Sequence, residues 1–244
     1  MSINLEYLVN IHDGKRAFIV GNGPSLADTD VSKLKDDIVF GCNRINLGYE
    51  KWELYFPYWC IEDVRLAADT ATEWNDIPAS IKFVPSELDH LITDTSNVCT
   101  FYIERTPKYR KNRGESFYWP GFSFEPDVIY SGYSVVYTMI QIAFIMGCNP
   151  LYLIGMDHNY TRVMDKVDGI SSRLISTGPD PDHFDPQYFG EGAKFHVPRT
   201  DLSSLSFERA DLAARERGLK IYNASIRSRL EAFERIDYGS LFKT

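Results

Sequence analysis

The sequence predicts an α/β protein: a mostly parallel sheet with helices on both faces and a lid-like insertion. Three observations carry this reading. Short continuous apolar runs, such as Ala17-Phe18-Ile19-Val20, recur along the chain, as strands buried on both faces do. Helical stretches alternate with those runs, the pattern of parallel crossovers. A glycine-rich turn, Gly21-Asn22-Gly23, follows the first run directly.

The elements follow in order. Residues 15–21 read as a buried strand with a basic start. Residues 36–43 read as a second strand, with a helical turn at 32–34 before it. Residues 53–61 form a third, aromatic strand interrupted by Pro57, and 81–84 and 98–102 are weaker strands. Residues 107–127 have no clear period and read as a loop. Residues 133–146 are apolar nearly all round, which predicts a buried helix ended by Gly147. A strand at 151–157, a helix at 206–218 stopped by Gly218, a strand at 219–223 and a closing helix at 228–236 complete the chain. Residues 165–192 are polar and rich in Gly, Pro and Asp, which predicts a mobile lid. Together the elements describe a single Rossmann-like domain over residues 1–244.

Composition narrows the function classes. Of the 244 residues 44 % are apolar and 25 % charged, an ordinary globular balance able to bury a core without disulfides. The formal net charge of −8 argues against non-specific nucleic-acid binding. Cys42, Cys60, Cys99 and Cys148 form no C-x-x-C pair and no zinc spacing, which fits free thiols in a reducing cytoplasm. The apolar run at 135–146 is too short to span a bilayer, leaving only peripheral membrane contact. A monomer and a homo-oligomer are both compatible with the sequence.

The chemistry-bearing residues cluster at predicted strand ends. Glycines directly after the first strand let backbone N–H groups approach a phosphate, which makes Gly21-Asn22-Gly23-Pro24-Ser25 a nucleotide-loop candidate. It matches neither G-x-G-x-x-G nor the P-loop. Asn43, Asp63 and Asp157 each stand at or just beyond a strand end, where open α/β sheets bind ligands. His183 lies among Asp180, Asp182 and Asp185, carboxylates that would raise its basicity or hold a divalent cation. His158 follows Asp157, within reach of donor or acceptor, while His12 and His90 read as surface residues. The run Lys108-Tyr109-Arg110-Lys111-Asn112-Arg113 offers steering for an anionic ligand, or is plain solvated surface.

The glycine loop followed by Cys42-Asn43, then Ser131-Gly132 before the apolar helix, then Ile154-Gly155-Met156-Asp157, resembles the bacterial sialyltransferases of glycosyltransferase family 42. The same pattern resembles the wider DUF115 or MptE-like group. That group includes flagellin-associated glycosyltransferase-like proteins and 6-hydroxymethylpterin diphosphokinases. The resemblance implies that Gly21, Asn22, Gly23 and Asn43 bind a CMP donor. It also implies that Ser131 and Gly132 face that donor, with Asp157 near the ribose or base. Tyrosines after that aspartate would support the leaving phosphate; Tyr160 is near, at a different spacing. The family's histidine base stands in a Tyr-x-Gly-His context, where this chain has Tyr188-Phe189-Gly190-Glu191. Glu191, His183 and His196 are therefore the base candidates, His183 first. An arginine expected a few residues before Ser131 is replaced by Val128 and Ile129.

The leading expectation is transfer of a sugar from a nucleotide-activated donor, such as a CMP-linked acidic sugar, to a glycan or other hydroxyl acceptor. No D-x-D stands in the usual strand-end context, so chemistry without a cofactor is favoured. Two alternatives remain at this point. One is a Mg²⁺-dependent diphosphokinase using Asp157, Asp63 or the aspartates at 180–185. The other is a non-catalytic nucleotide-binding module.

Overall fold

The computed structural model describes residues 2–112, 115–161, 166–167 and 174–243. Nine strands form one sheet, every pair parallel. They are β1 (Ile3–Asn4), β2 (Ala17–Val20), β3 (Ile38–Cys42), β4 (Tyr58–Cys60), β5 (Ile81–Pro85), β6 (Val98–Phe101), β7 (Leu151–Ile154), β8 (Ile221–Asn223) and β9 (Glu234–Arg235). The order across the sheet is β1-β6-β5-β4-β3-β2-β7-β8-β9. Strands β3 to β6 therefore wind away from β2 in one direction, and β7 to β9 in the other. The strand order reverses between β2 and β7, which leaves a crevice at their carboxyl ends.

Period-two alternation explains why the strands are apolar throughout. Ala17 and Ile19 pack into one core layer with the helices α2 (Val135–Ile145) and α3 (Thr200–Glu216). Phe18 and Val20 point the opposite way, into a layer covered by 3-10 turns and short helices. The α2 helix is buried from Val136 to Ile145, as its all-round apolar sequence demands. Gly147, at φ +85°, ends it, and the Cys148 N–H caps the Ala143 carbonyl (2.9 Å). A short helix, α1 (Val64–Asp69), starts at β4's carboxyl end with Asp63 as its N-cap.

Several elements differ from the sequence reading. The 107–127 segment contains an antiparallel hairpin, Tyr109–Asn112 with Glu115–Tyr118. The Arg110 guanidinium lies 4.4 Å over the Trp119 ring, packing that leaves no period-two apolar signature. Arg113 lies outside the described residues. The expected closing helix at 228–236 is absent. Ser228 Oγ accepts from the Leu230 N–H (3.1 Å), and Asn223 Nδ2 donates to the Leu230 carbonyl (3.3 Å). These side chains take over backbone bonds a helix would need. The segment extends instead into β9, while Leu230 and Phe233 still reach the core. The α3 helix also starts earlier than expected, at Thr200.

The expected lid, 165–192, falls partly outside the described residues. Its described remainder folds over the crevice. The Phe184 N–H donates to the Asn22 carbonyl (2.9 Å), and Arg44 reaches the carbonyl of Gln187 (2.8 Å). Leu174–Ile175 pairs with Lys166–Val167 on one side and Lys194–Phe195 on the other. No helix among the described residues is long and apolar enough to cross a membrane.

Candidate functional site

The floor of the crevice is built where the loops after β2 and β7 touch. The Gly21 N–H donates to the Ile154 carbonyl and the Gly23 N–H to the Gly155 carbonyl, both at 2.8 Å. There is no room for side chains at this contact. A Cβ on Gly21 would stand 2.6 Å from the Gly155 oxygen, and one on Gly23 only 2.2 Å from Asp157 Oδ2. Ser25, fully buried, donates its N–H (3.1 Å) and hydroxyl (2.6 Å) to the Asp157 carboxylate. Pro24 opens the 3-10 turn that carries Ser25.

The loop backbone expected to meet a phosphate is largely engaged within the protein. Three of its N–H groups, those of Gly21, Gly23 and Ser25, are already engaged within the protein. The glycines serve close packing of two loops. What the buried side chains of the floor offer a ligand is acceptors. Asn22 is 9 % exposed, and its Nδ2 is turned to the Cys42 carbonyl (3.3 Å), which fixes the amide. Asn22 Oδ1 is buried without a partner, and so is Asn43 Oδ1. Buried polar atoms left unpaired cost free energy, so a ligand donating hydrogen bonds there gains what the empty site lacks. Ribose hydroxyls and base amino groups are such donors; phosphate oxygens are not.

Asn43 holds its place through a left-handed backbone, φ +51°, which Asn tolerates better than most residues. Its N–H donates to the Cys60 carbonyl (3.0 Å), and its carbonyl accepts from Trp59 Nε1 (2.8 Å). Burial raises the Asp157 pKa, while the Ser25 bonds pull it back down. On one wall Ser131 donates to Glu62 (2.5 Å), which also accepts from Thr138 (2.7 Å) and faces Arg105 at 3.5 Å. Glu62 and Arg105 were not singled out from sequence. The strand Ile103–Glu104 pairs with Ile129–Tyr130, so Arg105 arrives beside Ser131 from a different segment than the one expected to supply an arginine.

On the roof, His183 Nδ1 lies 2.8 Å from Asp180 Oδ2, and the Asp180 side chain is 1 % exposed. The same carboxylate accepts the N–H groups of Phe189 (3.0 Å) and Asp182 (2.9 Å). The His183 ring stacks on Tyr188, centroids 3.9 Å apart and 3° from parallel. Tyr188 is buried, and desolvation drives its pKa well up. Of the three carboxylates expected around His183, Asp180 alone is bonded to it here; Asp182 accepts from Thr161 and Asp185 from the Gln187 N–H.

One cavity of about 680 Å³ joins floor and roof. Gly21, Asn22, Gly23, Asn43, Asp63, Ser131, Asp157, His158, Tyr160, Tyr188, His183 and His196 all line it. Pro24, Ser25, Gly132 and Glu191 do not. Gly132 is needed for packing: a Cβ there would stand 2.3 Å from the Tyr137 ring. Glu191 is exposed, on a turn closed by the Ala193 N–H to the Gly190 carbonyl (3.0 Å). His196 is exposed at the rim, 3.2 Å from Arg65. His158 Nε2 meets Ser204 Oγ at 2.8 Å. His12, expected at the surface, is partly buried against the Tyr58 hydroxyl (2.7 Å).

No family model and no curated protein matches the chain. Among solved structures it is similar to the MAf glycosyltransferase from Magnetospirillum magneticum AMB-1. That match has 15 % identity and a TM-score of 0.53, covering 97 % of this chain and 37 % of that one. The chain thus spans little more than a third of that protein's length. It also matches the sialyltransferase CstII from Campylobacter jejuni, solved in complex with the substrate analogue CMP-3FNeuAc. There the identity is 12 % and the TM-score 0.45, over 91 % of this chain and 86 % of that one. The first likeness shows that this chain has a fold that a glycosyltransferase also uses.

Proposed function

We propose that this protein transfers a glycosyl group from a nucleotide-activated sugar to an acceptor hydroxyl. The carrying observation is the pairing across one cavity of two unpartnered acceptors, Asn22 Oδ1 and Asn43 Oδ1, with the His183–Asp180 dyad. The floor suits a nucleoside, whose hydroxyl and amino groups are donors. The roof suits proton removal. With Asp180 accepting from Nδ1, His183 keeps Nε2 free of its proton to take one from an acceptor hydroxyl. The acceptor oxygen then bonds to the anomeric carbon, the carbon–oxygen bond to the phosphate breaks, and the nucleotide leaves with that electron pair. A CMP-linked acidic sugar, the donor implied by the motif resemblance, is the first to test.

The diphosphokinase reading needs a magnesium site. Magnesium is usually held by one or two carboxylates together with substrate phosphates, so Asp63, Asp157 and Asp180 are the residues that reading would use. Asp63 caps α1, Asp157 is held by Ser25, and Asp180 by His183.

The test begins with thermal shift in CMP, CDP, UDP, GDP and ATP, with and without Mg²⁺, since a ligand of the folded state raises the melting temperature. Donor hydrolysis and transfer are then followed across pH for wild type, His183→Ala and Glu191→Gln. His183→Ala should lose roughly 10²–10⁴-fold in turnover, the usual contribution of a general base. Glu191→Gln should behave as wild type. Normal turnover in His183→Ala, or no nucleotide raising the melting temperature, would overturn the reading.

A further inference from the structure

A second cavity, of about 380 Å³, adjoins the first. It opens into the first, sharing most of its lining, His158, Tyr160, His183, Phe189, Phe195 and His196 among it, and extends beyond it towards Asp180 and Arg229. A base that takes a proton from an incoming hydroxyl must face donor and acceptor at once. His183 stands at such a boundary, with the nucleotide-suited floor on one side and the smaller chamber on the other.

The chamber has a composite lining. Phe189 and Phe195 stack 5.5 Å apart and present an apolar wall of the kind that covers the C–H face of a pyranose. Asp180 and Asp182 also line it, but both are buried and hydrogen-bonded within the protein, Asp180 to His183 and Asp182 to the Thr161 N–H (2.7 Å) and hydroxyl. Arg229 is different. It is exposed at the rim, and its guanidinium has no side-chain partner among the described residues, not even those aspartates. Its backbone N–H donates to the Asp157 carbonyl (2.8 Å), so the residue is anchored at the site while its charge is left unmatched. A planar guanidinium is the side chain best shaped to hold a carboxylate or phosphate by two parallel bonds.

We infer that this second cavity is the acceptor subsite, and that it takes a sugar bearing an anionic group which Arg229 holds while the ring lies against Phe189 and Phe195. The assignment of the acceptor role rests on the transferase reading above; the preference for an anionic sugar rests on the chamber itself.

The experiment titrates three probes into the full chain by calorimetry: methyl β-glucuronide, galactose 6-phosphate and methyl β-galactoside. Wild type, Arg229→Gln and Arg229→Lys are compared. At least one charged sugar should bind about tenfold or more tighter than the neutral one, the scale of a charge-assisted bidentate pair. The two charged arms tell carboxylate from phosphate. Arg229→Gln should abolish that advantage, and Arg229→Lys should restore part of it. The melting-temperature shift given by nucleotide should be the same in all three proteins. Equal binding of charged and neutral sugars, no binding by any of them, or an unchanged advantage in Arg229→Gln would overturn the inference. Failure of nucleotide to bind wild type would instead overturn the transferase reading, since the sugar titration is scored without it.

Discussion

The floor and the roof of the main cavity are held by different kinds of bond. At the floor, backbone meets backbone: Gly21 and Gly23 donate to carbonyls of the loop after β7, at a contact too close for any side chain. At the roof, side chains do most of the holding, with Asp180 gathering His183 and two N–H groups and Arg44 reaching over to the carbonyls, beside one backbone bond from the Phe184 N–H to the Asn22 carbonyl. The comparison teaches where substitutions should be lethal to the fold and where they should touch only chemistry. A floor made of main chain has no rotamers with which to yield. A roof made of side chains does.

The largest expected contrast is between two glycines. In Gly23→Ala the new methyl would press on Asp157, itself fixed by Ser25, and on the Gly155 carbonyl at 2.7 Å. Neither can retreat without breaking hydrogen bonds. We expect a loss of about 3 kcal/mol or more in chemical denaturation, the upper end of overpacking costs. In Gly190→Ala, on the roof, the nearest atom is 3.5 Å away, ordinary contact. Its stability should stay within about 0.5 kcal/mol of wild type, as for surface substitutions generally. Equal stability of the two variants would mean that the floor is not the rigid part.

Next in size is Asn43, which belongs to the floor by its backbone and to the ligand by its side chain. Asn43→Ala mixes two effects, because alanine at φ +51° is strained by roughly 1 kcal/mol. Asn43→Gly separates them, since glycine adopts this conformation freely. Asn43→Gly should keep the melting temperature close to wild type while losing about 1–3 kcal/mol of nucleotide affinity, the value of hydrogen bonds to a buried acceptor. Asn43→Ala should lose both. Calorimetry with nucleotide reads the affinity, and an unchanged value in Asn43→Gly would remove Asn43 from the binding site.

The same contrast explains what the sequence made legible. The floor follows from rules that act locally. Continuous apolar runs mark doubly buried strands, and ligands gather at their carboxyl ends, so Asn22, Asn43, Ser131 and Asp157 were reachable from spacing and motif. Yet the packing role of the glycines was out of reach of those rules, because the partner loop lies more than a hundred residues away. Glu62 precedes the singled-out Asp63 by one position; Asp63 caps α1, and it is Glu62 that accepts from Ser131, a difference no local pattern marks. Arg105 and Arg229 come to the site from segments with no motif. Around His183 the sequence offered three carboxylates and no way to choose among them. At 228–236 Leu230 and Phe233 carry helix-like spacing, but Ser228 and Asn223 claim the backbone bonds. Side-chain capture of main chain has no periodic signature, and that is why the last strand and the bonding within the roof were not legible.

The smallest effect expected is one of pH, and it probes the residue where floor and roof meet. His158 follows Asp157, lines both cavities and is half-buried, with Nε2 on Ser204. Burial lowers its pKa from the ordinary 6.5, and a hydrogen bond to the Thr200 backbone only partly offsets this. The unfolded chain therefore takes up a proton at this residue before the folded protein does. Stability is unaffected well above pH 6.5 and falls as pH drops through that value toward the folded pKa. His12 is lowered by burial as well and adds to the same slope. Asp157, whose pKa is raised, works with the opposite sign: the folded state binds its proton more tightly, so stability falls as pH rises between the ordinary carboxylate value and the raised one. That window starts from 3.8, below the one in which the histidines begin to titrate. Replacing His158 by Asn, which tolerates the φ of +50° found here, removes the titrating group. Denaturation between pH 7.5 and about 5 should then show a flatter slope, by no more than about 1.4 kcal/mol per pH unit for one proton. His12→Gln should flatten what remains. If His158→Asn keeps the wild-type slope, the imidazole titrates alike in the folded and unfolded chain, and the junction between floor and roof is wetter than its packing implies.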